Sequence, residues 1–225
     1  MFKSKKRPIV ICQREHARLA GVMAAHWGNE QFDLPTIPFD TFVKGVTFHD
    51  RGYRVLDNDP IGEIDDDTWL NIMRAGIDWR FDDAIADIMV LMHSKRLLVK
   101  HDTHGRNELA ALATEKIEQR LAECDFSLDT FAWIDRITAF CDSVAFNFAF
   151  GNYALKTVMV YSKSGTTEKI DIHYSINSNG EINISPWPFS VDHLSGFVIG
   201  YELDGYPDKL EPVTVPWKIC PSSSP

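Results

Sequence analysis

Apolar residues recur at three- and four-residue steps through the first two-thirds of the chain and at two-residue steps afterwards, which predicts helices followed by strands. The run Pro8–Cys12 is rich in β-branched residues and reads as a short buried strand. A helix over Gln13–Trp27 follows, stopped by Gly28-Asn29, with His16, Ala20, Met23 and Trp27 on one face. A second helix over Phe39–Phe48 aligns Phe42, Val46 and His49, so both histidines point where the apolar residues point. Asp50 lies at that helix end, where the backbone can turn before Gly52 so that the two side chains converge. Further helices are expected over Thr68–Ala75, Asp82–Lys100, Asn107–Cys124 and Ser127–Phe150. The longest apolar stripe of the fourth carries Ile85, Ile88, Met89 and Met92, with His93 at its edge. On the last helix Asp135 and Asp142 share a face with Thr138, Ala145 and Phe146, among Ile134, Phe140 and Val144. A carboxylate in such surroundings needs a cation or strong donors.

After Gly151 the texture changes. Thr157–Tyr161 and Ile170–Ile176 alternate apolar and polar residues, Asn179-Gly180 signals a hairpin into Glu181–Ile184, and Phe197–Tyr201 and Val213–Ile219 can add strands. The expected architecture is therefore α+β and mainly helical, with residues 1–150 helical and residues 151–225 β-rich. The two parts form one unit if the Ile9–Cys12 strand joins the later sheet. Pro186-Trp187-Pro188-Phe189 reads as a rigid turn that packs aromatic rings over the helices. The acidic stretch Asp57–Asp67 reads as a solvated loop, with Asp65-Asp66-Asp67 at the next helix start, where negative charge is favourable. It lacks the alternating oxygen ligands and closing Glu of a calcium loop.

Composition narrows the function. At 225 residues and 44% hydrophobic content the chain can bury a sizeable core. A net charge of −9 argues against a general nucleic-acid binder, which needs a basic face. The four cysteines are far apart and form no Cys-x-x-Cys pair, which excludes a zinc ribbon and does not read as a disulfide framework. The basic N-terminus is followed by too short an apolar run for a signal-peptide core or a membrane span, so a cytoplasmic protein away from the membrane is expected. Neither a Walker sequence nor a Gly-x-Ser-x-Gly elbow occurs, which disfavours a P-loop ATPase and a serine hydrolase.

The chemistry concentrates in His16, the adjacent His49-Asp50, and an aspartate of the last helix. Inward-facing imidazoles and carboxylates suit a divalent metal that takes nitrogen and oxygen ligands. The order His, His-Asp, Asp resembles the HD superfamily of metal-dependent phosphohydrolases. Over its wider length the chain is similar to an uncharacterised bacterial family with HD-like motifs, through Glu15-His16-Ala17-Arg18-Leu19-Ala20-Gly21, Trp27-Gly28, His49-Asp50-Arg51-Gly52, Met92-His93-Ser94, Cys141-Asp142-Ser143-Val144 and Pro186-Trp187-Pro188-Phe189. The resemblance implies an HD-like helical bundle in which His16, His49, Asp50 and Asp142 hold one ion. Asp142 sits in the matching Asp-Ser-Val context, and Asp135, one heptad earlier, is the second choice. In two-metal HD proteins extra histidines hold a second ion; His93 and His101 are the candidates here, although eight residues of helix separate them by about 80°. The sequence departs from many HD phosphohydrolases in having Tyr53 where a lysine often follows the His-Asp-x-Gly turn.

The expected activity is hydrolysis of a small phosphorylated or nucleotide-type substrate by a water that the metal (Mn, Mg, Fe or Zn) activates. Asp50 would act as ligand and as hydrogen-bond acceptor for the nucleophile. Arg51, Arg18 and Lys95 are the cations available to neutralise phosphate. Two rivals stand beside this reading. One is an HD-type di-iron oxygenase, which requires His93 and His101. The other is a non-enzymatic binding or sensor protein with a structural metal. The sequence carries no signal for oligomeric state.

Overall fold

The computed structural model describes residues 1–53, 57–100, 104–165 and 168–222. Among the described residues two strands come first, a block of six helices follows, and five strands end the chain. Strands β1 (Phe2–Lys3) and β2 (Ile9–Ile11) come first, followed by helices α1 (Gln13–Ala24), α2 (Phe39–Thr47), α3 (Asp66–Asp78), α4 (Ala84–Leu98), α5 (His104–Leu121) and α6 (Leu128–Phe150). The chain then runs through β3 (Lys156–Tyr161), β4 (Lys169–Ile176), β5 (Glu181–Ser185), β6 (Leu194–Glu202) and β7 (Pro212–Pro221).

The strands form one seven-stranded sheet in the order β1-β2-β6-β7-β5-β4-β3. All neighbours are antiparallel except β5 and β7, which run parallel with Ile182 opposite Ile219. The N-terminal strand does join the late ones, with Val10 opposite Tyr201. This corrects the expected mainly helical HD-like bundle: 42% is helix and 21% is strand, and the strands form a curled mixed sheet, a half-barrel, so the fold is α+β. The physical reason is that seven strands, most of them short, bury one face of the sheet against the helices. Ile172, Tyr174 and Ile176 of β4 point into the core, whereas Asp171 and His173 face outward. No described helix is long and apolar enough to cross a membrane.

Local signals account for most boundaries. Asp65, Asp83 and Ser127 cap α3, α4 and α6 through side-chain bonds to Thr68, Ala86 and Thr130 amides. Gly151 ends α6 at φ 67°, a left-handed position that favours glycine. Helix α1 ends at Ala24, three residues before Trp27, and α3 continues through Gly76 to Asp78 rather than stopping there. Helix α6 is the spine: Phe140 packs on Trp27, Tyr174 and Phe189 with ring centroids 5.9, 6.4 and 6.4 Å away. Phe189 thus lays its ring over the helices, and Trp27 and Phe189 form an antiparallel bridge.

Candidate metal centre

Two close crossings assemble the site. Helix α1 begins directly after β2, so His16 stands in its first turn with its amide bonded to the Cys12 carbonyl at 3.2 Å. Helix α2 meets α1 at Gly21, where an added Cβ would lie 2.1 Å from Thr47 Oγ1 and 3.2 Å from Thr47 Cα. Only a residue without a side chain permits that approach. Past Thr47 the chain leaves the helix, and the amides of His49, Arg51 and Tyr53 bond the carbonyls of Val46, Phe48 and Asp50 at 3.3, 3.0 and 3.1 Å. His49 and Asp50 therefore lie on a tight turn rather than on the helix itself. Gly52 completes the turn because a Cβ there would stand 2.3 Å from the Ile72 carbonyl oxygen of α3 and 3.0 Å from Gly76 N. Helix α6 supplies Asp142 and helix α4 supplies His93.

The four donors implied by the sequence converge. His16 Nε2 is 3.0 Å from His49 Nε2, 3.4 Å from Asp50 Oδ2 and 3.3 Å from Asp142 Oδ1. His49 Nε2 is 3.4 Å from Asp50 Oδ2 and 3.6 Å from Asp142 Oδ1. Donors about 2.0–2.1 Å from one ion stand about 2.9 Å apart at right angles and about 3.4 Å apart at the tetrahedral angle. Within 4.8 Å of one another, His16, His49 and Asp142 form one group of possible donors and His49, Asp50 and His93 a second, and the two share His49. His49 Nδ1 lies 2.8 Å from the Val46 carbonyl oxygen, which can only accept, so Nδ1 carries the proton and Nε2 presents its lone pair to the cluster. His16 Nδ1 is buried without a partner, which leaves its Nε2 as the atom that all its polar neighbours address. Phe2 covers the His16 ring at 4.8 Å between centroids.

The electrostatics follow from two carboxylates among buried imidazoles. Burial alone would push His16 down, but hydrogen bonds and charge from Asp142 and Asp50 raise it to about 9. Burial alone would raise Asp50 and Asp142; instead the neighbouring imidazoles hold both well below the usual carboxylate range. Burial dominates at His93 and pushes its imidazole down, against the hydrogen bond to Asp50. Two carboxylates and one imidazolium leave the ion-free cluster with a negative charge. A divalent ion that displaces the His16 proton brings it to neutrality.

The remaining candidates fall as follows. His93 Nε2 sits 3.2 Å from Asp50 Oδ1, and its ring is 4.6 Å from that of His49. Asp142 reaches the imidazoles, whereas Asp135 Oδ2 accepts from Arg96 Nε at 3.0 Å and its Oδ1 is buried without a partner. Arg51 lines the cavity beside His49 and Asp50, but its guanidinium is turned to Asp87 Oδ1 and to the Gly76 carbonyl oxygen, the latter at 2.7 Å. Asp87 also accepts from Arg120 and from the Phe81 amide, so Arg51 belongs to a buried ion network. Arg18 pairs with Glu15 at 2.6 Å at the sheet edge by Phe197. The Lys95 carbonyl accepts from the Val99 amide at 3.0 Å at the end of α4, and His101 lies outside the described residues. Sequence reading passed over Arg96, which touches His93, Asp135 and Asp142. Its place three residues after His93 on one helix was the available signal.

A family model described as "Protein of unknown function (DUF3891)" matches residues 1–204. No curated protein and no solved structure matches the chain. The protein belongs to that DUF3891 family.

Proposed function

We propose that the protein is a metal-dependent hydrolase of a small phosphorylated or nucleotide-type substrate, holding one divalent ion between His16, His49, Asp50 and Asp142. The observation that carries this reading is the convergence on two imidazoles: the Nε2 atoms of His16 and His49 lie 3.0 Å apart, and each is 3.3–3.6 Å from a carboxylate oxygen of Asp50 and of Asp142. The donor chemistry fits a divalent ion: two imidazole nitrogens, one with its lone pair fixed inward by the Val46 carbonyl, and two carboxylates kept ionised. The ligand order is similar to that of HD phosphohydrolases, and this supports the reaction class although the fold is not their helical bundle.

A divalent ion in that place supplies Lewis acidity, lowering the pKa of a water and withdrawing charge from a phosphoryl oxygen. The protein's own groups do the rest. Asp50 Oδ2 and Asp142 Oδ1 face the two imidazoles, and the side chains of Asp50 and Asp142 are 11% and 15% exposed, so the carboxylates form the solvent-facing side of the cluster. Arg96, 24% exposed and 3.9 Å from Asp142 Oδ2, is a cation beside the site, which supports a phosphorylated substrate. Arg51 is committed to Asp87 and keeps the His49-Asp50 turn against α3.

A second reading, a non-enzymatic binding protein with a structural ion, is favoured by one observation. The cavity next to His49 and Asp50 has a volume of only about 10 Å³, room for about one water. Turnover separates the two. Wild-type protein loaded with Mn²⁺ or Mg²⁺ is assayed on p-nitrophenyl phosphate, bis-p-nitrophenyl phosphate and a nucleotide panel, beside His49→Ala. Product formation that His49→Ala abolishes supports the hydrolase. An ion that raises the melting temperature with no turnover on any of these favours the structural reading. The oxygenase alternative requires His93 as a ligand and consumption of oxygen by iron-loaded protein.

A further inference from the structure

We infer that His93 is a positioning residue rather than a metal ligand: Arg96 fixes it as the Nε2–H tautomer, and it holds Asp50 so that the centre takes a single ion. This inference rests on the metal-centre reading above and concerns its architecture.

A guanidinium offers only N–H groups, so Arg96 Nη2, 2.8 Å from His93 Nδ1, donates to it. Nδ1 therefore uses its lone pair on Arg96. The proton of the neutral imidazole stands on Nε2, 3.2 Å from Asp50 Oδ1, to which it donates. A ring whose Nδ1 lone pair is taken and whose Nε2 is protonated has no atom left for a metal. His49, one ring away, shows the opposite arrangement, with Nδ1 donating to a carbonyl and Nε2 free to bind. The two histidines are thus set to different tautomers by different partners, one a pure acceptor and the other a pure donor.

Arg96 is itself fixed. Its Nε donates to Asp135 Oδ2 at 3.0 Å, and its Nη2 lies 3.9 Å from Asp142 Oδ2. A chain of polar contacts, Asp135 to Arg96 to His93 to Asp50, ends on a proposed ligand carboxylate. With Oδ1 taken by His93, Asp50 turns Oδ2 toward His16 and His49, 3.4 Å from each Nε2. This gives Asp135 a role that is not coordination. His93 is 1% exposed, so water does not compete for these bonds.

The test combines a spectroscopic and a binding readout. Long-range ¹H–¹⁵N correlation spectra of chelator-treated wild type report the proton position on His93, and Arg96→Met removes the donor that fixes it. Zinc titration is run on wild type, His93→Gln, whose amide can still donate to Asp50, and His93→Ala. The expected results are the Nε2–H tautomer in wild type, a mixed tautomer in Arg96→Met, and one tightly bound zinc per chain in every protein. Affinity should stay close to wild type in His93→Gln and fall by about 10–100-fold in His93→Ala. A wild-type Nδ1–H tautomer overturns the inference. So do two zincs per wild-type chain of which His93→Gln loses one, a result that leaves the metal reading standing. No zinc in wild type overturns the metal reading and the single-ion claim together. Should His93→Ala fail to fold, the wild-type spectrum and the His93→Gln titration still decide.

Discussion

Removing the ion should make stability fall as pH rises from about 6.5 to 9, and His16 should be the cause. Its folded-state pKa is about 9 against an ordinary 6.5. A raised pKa stabilises the protonated folded form, so this contribution is complete below the unfolded value and is lost as pH passes through the folded value. The displacement corresponds to about 3 kcal/mol. Other groups titrate in or near this window: burial pushes the Cys12 thiol up and the Met1 ammonium down. They are present equally in His16→Gln, so the difference between the two proteins isolates the imidazole. The assay is urea unfolding of chelator-treated wild type and His16→Gln at steps from pH 6 to 9.5. The wild-type advantage should shrink by about 3 kcal/mol across the window. At constant free Zn²⁺ the trend should reverse, because coordination releases the His16 proton and tightens as pH rises. Parallel pH profiles for the two ion-free proteins would refute the assignment of a proton to His16.

Three further outcomes are expected. Gly52→Ala forces a Cβ onto the α3 backbone and should cost about 1–3 kcal/mol in urea unfolding, with weaker zinc binding because the His49-Asp50 turn moves. Asp87→Ala leaves Arg51 and Arg120 buried without their shared carboxylate and should cost about 3–5 kcal/mol by the same measurement. A divalent ion at about a hundred times its Kd should stabilise wild type by about 2.7 kcal/mol, a rise of about 5–11 °C in melting temperature that Asp142→Ala abolishes and Asp135→Ala retains.

The sequence was most legible where a local rule and the tertiary structure agreed. His16 lies on α1 as its three- and four-residue spacing predicts, and the alternation in Ile170–Ile176 matched β4, whereas His49 reaches His16 from a turn past the end of α2 rather than from a helical face. The architecture was less legible, since the resemblance carried by His, His-Asp and Asp pointed to a helical bundle. Those few residues suggest a ligand set but say nothing about the pairing of β2 with β6, which joins residues about 190 positions apart. Partners set by tertiary contact were also hidden. Arg51 reads as a cation beside a motif, yet Asp87 and the Gly76 carbonyl claim it. The same holds for Asp135 and Asp142, which share a helical face: Asp135 accepts from Arg96 Nε, whereas Asp142 Oδ1 reaches His16 and His49. The requirement for Gly52 was visible as a motif letter, and its reason, the backbone of α3 against the turn, was not.

His16, His49, Asp50 and Asp142 are proposed to hold one divalent ion. The most direct test of that assignment is elemental analysis of protein purified without chelator and after reconstitution, beside His49→Ala and Asp142→Ala. About one ion per wild-type chain is expected, and its loss in both variants. Absence of metal from reconstituted wild type, or equal occupancy in all three proteins, would contradict it.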